Sequence, residues 1–401
     1  MKKSYFAMVA LIIASLVLAA CGGGQTQTPA ATDAPTEVMT EAPTEAMTEA
    51  PTEAPTEAPT EAPTGEATEP PVSGEGITIG QVTDLGGIDD KSFNASAFAG
   101  AERAVEELGG EAKYLESQQQ SDYARNIQQF VDEGTDLIVT VGFLLGVDTA
   151  TAAKANPEQK FAIVDYSYPD CFGDTAVEGE TCGSATELPN VLGLTFDTDQ
   201  AAFLAGYAAA ASTQTGTVAT FGGINIPPVT IFMKGFEAGV NYYNEQKGTD
   251  VQVLGWSNAD NDGVFTGNFE STDDGRANAE SFVQEGADII MPVAGPVGLG
   301  SAAYCQESGS CRIVGVDTDW TVSASEYSDV IFTSVLKNID NAVFDAAQSV
   351  ADGSFAGGVY LGTLENDGVG LAEVSGAASE LTAELDQLKA DIISGAVTLP
   401  E

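Results

Sequence analysis

From Ile77 onward, short runs rich in β-branched and apolar residues alternate with amphipathic runs of helical period, and the series occurs twice. The first series reads as strand Ile77–Thr83, helix Ser92–Leu108 ended by Gly109-Gly110, strand Ala112–Leu115, helix Tyr123–Glu133 and strand Leu137–Val141. Helix Val147–Ala155 and strands Phe161–Asp165 and Asn190–Thr195 follow. Parallel neighbours need a crossover, which a helix supplies, so this alternation predicts a parallel sheet covered on both faces. The second series runs through helix Gln200–Ser212, strand Thr217–Phe221, helix Val229–Gln246, strand Val251–Trp256 and helix Asp274–Glu285. It ends on strands Ile289–Val293 and Arg312–Val316. The expected fold class is therefore α/β, with two Rossmann-like lobes that each carry a parallel sheet. Strand Val330–Ser334 and helix Asn338–Ala351 come after the second lobe has its strands, so they predict a return to the first. Repeated crossings make a hinge, and the cleft beside a hinge suits a small ligand. The expected N-terminal lobe is 77–195, completed by about 332–354, and the C-terminal lobe is 196–331, completed by about 355–374. A helical tail takes 375–401.

What precedes Ile77 is not globular. Lys2 and Lys3 open the chain, and Phe6–Leu18 is an apolar run too short for a comfortable membrane span. Leu18-Ala19-Ala20-Cys21-Gly22 has the order of a bacterial lipoprotein box, predicting a signal peptide over 1–20 and acylation at Cys21. An ordinary signal peptide with a chance cysteine is the alternative. Ala-Pro-Thr-Glu then recurs from Ala34 through Thr64. Such a segment cannot bury enough apolar surface to offset its ordering entropy, so 21–76 is expected to be a disordered stalk with a reach on the order of 150 Å. The expected location is the extracytoplasmic face of the cell membrane, lipid-anchored.

The formal net charge of −46 disfavours nucleic acid and anionic ligands. Histidine is absent, which removes Ser-His-Asp and Cys-His nucleophile systems and every histidine metal site. There is no phosphate-binding Gly-x-x-x-x-Gly-Lys. No catalytic residue, cofactor or metal is expected. Beyond Cys21 the cysteines form two close pairs, Cys171 with Cys182 and Cys305 with Cys311. In an exported chain these read as two small disulfide loops. Zinc held by four thiolates is the alternative, and neither pair has the Cys-x-x-Cys spacing that would favour it.

The segment Thr83-Asp84-Leu85-Gly86-Gly87-Ile88-Asp89-Asp90-Lys91-Ser92-Phe93-Asn94 sits where the first strand ends and the first helix begins, the region where open parallel sheets bind ligands. The two glycines permit tight turns, and Ser92 fits an N-cap. Two readings stand. Asp89 to Ser92 cap a helix while Phe93 packs inward, or Phe93 and Asn94 form a cleft edge.

This segment resembles the opening motif of the basic membrane protein family of bacterial lipoproteins, which includes purine nucleoside receptors of ABC importers. The similarity continues through Tyr114–Ser117, Glu133–Phe143, Lys160–Asp165, Ala201–Gly206, Gly315–Asp319 and Thr333–Lys337, covering Ile77 to about Val374. It implies a type I periplasmic-binding-protein fold closing on its ligand. Carried over by position, it implies Phe93 and Phe232 on the two faces of a purine, and Asn94 and Asp165 at its polar edges. Gly295, Asp317 and Lys337 would meet the ribose, with Asp84 among the contacts. The implied partners are guanosine, adenosine or inosine, an ABC permease and a membrane reached through the lipid anchor; the implied state is a monomer.

Plainer readings accompany each position. Phe232 fits a core aromatic, Asp165 and Asp317 fit strand-end turns, and Lys337 fits a solvated helix end. Met233-Lys234 departs from the family's local pattern, as does Pro296-Val297-Gly298 after Gly295. Trp320 stands where a smaller polar residue is usual and could narrow the pocket. Another neutral polar ligand, such as a sugar or signal molecule, or a role as a stalked adhesin, are the competing functions. An enzyme ranks last.

Overall fold

The computed structural model describes residues 76–168 and 188–399. The signal peptide, Cys21, the stalk as far as residue 75 and the Cys171–Cys182 loop lie outside the described residues. Within them no helix is long and apolar enough to cross a membrane.

The first lobe begins β1 (Ile77–Val82), α1 (Phe93–Leu108), β2 (Gly110–Leu115), α2 (Tyr123–Glu133) and β3 (Leu137–Val141). It continues α3 (Gly146–Ala155), β4 (Lys160–Val164) and β5 (Val191–Phe196). The second runs α4 (Thr198–Ser212), β6 (Thr217–Gly222), α5 (Pro227–Lys247), β7 (Gln252–Leu254), a small hairpin β8 (Trp256–Ser257) with β9 (Asp262–Gly263), and α6 (Thr272–Gln284). Then come β10 (Ile289–Val293), α7 (Val297–Ser308), β11 (Arg312–Asp317), α8 (Trp320–Ser323) and β12 (Ile331–Lys337). The chain closes with α9 (Ile339–Ala351), β13 (Gly358–Gly362), β14 (Val369–Leu371) and α10 (Ser379–Ile393).

Two six-stranded sheets result, ordered β13-β5-β4-β3-β1-β2 and β14-β12-β11-β10-β6-β7. All pairings are parallel except β12 with β14, which is antiparallel. Every residue of β3 and β10 is buried. Central strands covered on both faces read as continuous apolar runs, as Leu-Ile-Val-Thr-Val of β3 does. The expected α/β class with two lobes of parallel sheet is the observed architecture.

Several assignments differ from the sequence reading. Ile331–Lys337 does not return to the first lobe; it pairs with β11 as the fifth strand of the second sheet. The return is made by α9, which packs on α1, and by β13, which joins β5. β13 was expected in the C-terminal lobe. Its five residues and β14's three are too short to show a period, and long-range pairing assigns them. Helix α7 was read as a connection because Gly298 and Gly300 punctuate it. The glycines serve close packing: a Cβ on Gly300 would lie 1.8 Å from the Thr272 carbonyl oxygen. The chain crosses between lobes after β5, after β12 and between β13 and β14. The crossings brace one another: Asp197 N–H donates to Gly362 O (2.8 Å) and Asn338 N–H to Gly368 O (2.9 Å). Cys305 and Cys311 form a disulfide between α7 and the start of β11.

Candidate ligand-binding site

The carboxyl ends of β1, β3, β4, β10, β11 and β12 face one another across the cleft. With the first turns of α1 and α5 they enclose a pocket with about 590 Å³ of space between its atoms. That lies within the range of small-molecule sites. All eight residues expected at the site line it: Asp84, Phe93, Asn94 and Asp165 from the first lobe, and Phe232, Gly295, Asp317 and Lys337 from the second. Sequence reasoning missed Asp90, Phe143, Phe269 and Pro228, which line it too. Phe269 sits in an irregular loop with no period to betray it. Asp90 was visible as an acidic residue just ahead of a helix.

Asp90, not Ser92, caps α1. Its carboxylate accepts from the backbone N–H groups of Ser92 (3.0 Å), Asn94 (2.7 Å) and Ala95 (3.0 Å), and from Asn94 Nδ2 (3.0 Å). Ser92 is thereby freed to cross the cleft, and its hydroxyl donates to Asp317 Oδ2 at 2.7 Å. Lys91 forms a second bridge, pairing with Glu326, while its carbonyl accepts from Thr318 Oγ1 at 3.1 Å. Asn94 is less free than expected. Its Oδ1 accepts from the Asp84 backbone N–H at 3.1 Å while its Nδ2 serves Asp90, so half its hydrogen-bonding capacity holds the pocket wall in place.

Lys337 is the one cation lining the pocket among the described residues, and it is buried, with its side chain 2% exposed. Its Nζ lies 2.5 Å from both oxygens of Asp165. Three rings surround it, with centroids at 4.8 Å (Phe93), 5.3 Å (Phe196) and 5.9 Å (Phe232), within cation–π range. Lys337 is therefore not a solvated helix end, and Asp165 already has a partner. Phe232 satisfies both of its readings, packing in the core and facing the pocket.

Asp165 and Asp317 occupy corresponding places, each at the end of the third strand in its sheet order, and both have φ of 66°. Burial pushes both carboxyls above their ordinary value, opposed in each by the ammonium of Lys337 and, for Asp317, by the Ser92 hydrogen bond. Burial likewise raises Asp84 and Asp90 to about 6 against the hydrogen bonds they accept. Trp320 does not narrow the pocket. It is buried beneath β11, its Nε1 donating to Val316 O at 2.9 Å. Pro296 does line the cleft. No cluster of metal-ligating side chains occurs among the described residues.

The pocket can hold a flat, polar-edged, uncharged molecule. Its walls are aromatic and its polar groups are mostly acceptors. Comparison with known proteins agrees with a binding role. A family model described as ABC transporter substrate-binding protein PnrA-like matches residues 77–401. The ABC transporter nucleoside-binding protein BmpA of Lactococcus lactis subsp. cremoris is 30% identical, covering 80% of this chain and 88% of that protein. Basic membrane protein A of Borreliella burgdorferi is 31% identical, covering 79% and 85%. A solved ABC transporter solute-binding protein from Aeropyrum pernix K1 is 26% identical, with a TM-score of 0.68, covering 81% of this chain and 94% of that one. The chain belongs to the Bmp family of PnrA-like ABC transporter substrate-binding proteins, and is a binding protein rather than an enzyme.

Proposed function

We propose that this protein captures purine nucleosides (guanosine, adenosine or inosine) as a monomer held to the membrane through an acylated Cys21, and hands them to an ABC permease. The composition of the cleft carries the reading. Phe93 and Phe232 enter it from opposite lobes, among four carboxylates and one ammonium that is already paired. A base between two rings gains stacking worth about 1–3 kcal/mol. Asp317 keeps its Oδ1 for adjacent sugar hydroxyls, since Ser92 takes Oδ2. A phosphate would meet four carboxylates with no arginine to receive it, so nucleotides are rejected. The printed name of the Lactococcus lactis relative supports the same ligand class.

Calorimetry on the purified protein with nucleosides, deoxynucleosides, monophosphates and free sugars tests the reading. Nucleosides bind, monophosphates bind far more weakly, and loss of sugar hydroxyls weakens binding through the unpaired Asp317. Equal affinity for nucleotides, or binding of a free sugar alone, refutes it. Replacing Cys21 with Ser moves the protein out of the membrane fraction and leaves binding intact; unchanged membrane association refutes the anchor.

A further inference from the structure

The oxygens of the pocket carboxylates are not equally occupied. Asp90 uses both of its oxygens on α1, and Asp165 gives both to Lys337. Asp317 is engaged by Ser92 through one oxygen and, in the reading above, takes sugar hydroxyls on the other. Asp84 is different. Its Oδ1 accepts from the Tyr123 hydroxyl and from the Leu85 backbone N–H (2.7 Å), and its own backbone N–H is held by Asn94. Among the described residues Oδ2 accepts no hydrogen bond. It lies over Gly142, whose missing side chain leaves room for it: a Cβ there would come within 2.3 Å of Oδ2. Asp84 is 6% exposed and lines the pocket, so its second oxygen is fixed in place with an unfilled lone pair.

We propose that Asp84 Oδ2 selects between 6-oxopurines and adenine at the proposed nucleoside site, accepting from the purine N1–H when Asp84 is a carboxylate and donating to adenine N1 when it is protonated. The proposal rests on the nucleoside reading and deepens it. Inosine and guanosine carry a proton on N1; adenosine presents a lone pair there. A carboxylate oxygen suits the first and repels the second. Protonation reverses this, and the proton can settle on one atom alone. Oδ1 already accepts two donors, so the added hydrogen must sit on Oδ2 and point into the pocket.

Both forms are accessible near neutral pH. Burial lifts Asp84 to about 6, with the Tyr123 and Leu85 hydrogen bonds pulling it down and Asp165 adding repulsion. The titratable and charged groups around it are Tyr123 from α2, Asp165 after β4 with its partner Lys337 from β12, and, acting on Tyr123, Asp148 from α3 and Glu270 from the second lobe. Gly142 at the end of β3 brings no side chain.

The test is calorimetric titration of the full-length protein in detergent with inosine and with adenosine. Between about pH 7.5 and about pH 5 the inosine-over-adenosine preference falls by about tenfold or more. In Asp84→Asn the two donors at Oδ1 claim the amide oxygen, so the NH₂ faces the pocket as a permanent donor. That variant favours adenosine at both pH values. Tyr123→Phe removes a hydrogen bond that stabilises the carboxylate, so the crossover moves to higher pH. A preference that ignores pH in the wild type, or an Asp84→Asn protein that still prefers inosine at neutral pH, overturns the assignment while leaving nucleoside binding standing. No binding of either nucleoside at any pH overturns the nucleoside reading and this assignment with it.

Discussion

Replacing Lys337 with Met removes the ammonium from the pocket while keeping most of its apolar stem, and it leaves Asp165 buried without a partner. Opposite charges at the observed 2.5 Å attract by roughly 6–7 kcal/mol at an effective dielectric of about 20. Desolvation opposes that attraction in the native pair. Breaking a buried pair on one side, by contrast, typically costs about 3–5 kcal/mol, because the remaining charge keeps its desolvation penalty. The loss must depend on pH. Burial already raises Asp165 above its ordinary 3.8, and Lys337 is the group that lowers it, so the carboxyl of the variant rises further. A folded carboxyl with a raised pKa binds protons that the unfolded chain does not, so its stability is full below 3.8 and is lost as pH rises through the folded value. The variant is therefore about 3–5 kcal/mol less stable than wild type near pH 8, and only about 1–2 kcal/mol less stable near pH 5. Urea unfolding followed by the fluorescence of Trp256 and Trp320, both buried in the second lobe, reads this directly. Adding Asp165→Asn removes the orphaned charge and recovers most of the loss. A deficit below about 1 kcal/mol near pH 8, or one that does not change with pH, refutes the assignment of Lys337 and Asp165 as a tightly coupled buried pair.

Ser92→Ala deletes the hydroxyl that donates across the cleft to Asp317, so release of bound ligand quickens and affinity falls by about tenfold, measured by stopped-flow fluorescence. An unchanged release rate means the bridge does not hold the lobes together. Cys305→Ser with Cys311→Ser opens a loop with a sequence separation of 6 and costs about 2 kcal/mol in stability, read by thermal unfolding. Ligand affinity does not change, because the bridge meets β11 at the end away from the pocket. Peptide mapping without reductant recovers Cys171 joined to Cys182, and free thiols there refute the expected bridge.

Much of the fold was legible because its strands are central. Leu137–Val141 and Ile289–Val293 are continuous apolar runs between turns, and burial on both faces produces that pattern. What was not legible was assigned by distant contacts. Whether Ile331–Lys337 belongs to one lobe or the other depends on its pairing with β11, which local period does not encode. The candidate site divides the same way. Asp165 and Asp317 announced themselves as acidic residues at strand ends. The pairing of Asp165 with Lys337 joins residues 172 apart in sequence, and the reach of Ser92 to Asp317 joins residues 225 apart. Ser92 read as a helix cap because serine favours that role. Asp90 takes the role instead, since a carboxylate can accept from several N–H groups at once.

The backbone at the two strand-end aspartates yields a further test that separates charge from conformation. Asp165 and Asp317 both sit at φ 66°, in the left-handed region. For most L-residues that region costs about 1–2 kcal/mol, because Cβ crowds the following carbonyl; Asn and Asp enter it more readily. Alanine at either site therefore removes the charge and adds strain together, whereas asparagine removes the charge alone. Both substitutions relieve the same desolvation of a buried carboxylate, so the difference between them isolates the backbone. Asparagine is expected to be more stable than alanine by about 1–2 kcal/mol at each site, with glycine between them, since it adopts positive φ freely but loses more entropy on folding. Position 317 should show the larger gap, because an amide there can still accept from Ser92. Urea unfolding of the six variants decides it. Alanine as stable as asparagine at both positions would mean that the left-handed turn imposes no residue preference, and that these aspartates hold their places through side-chain chemistry alone.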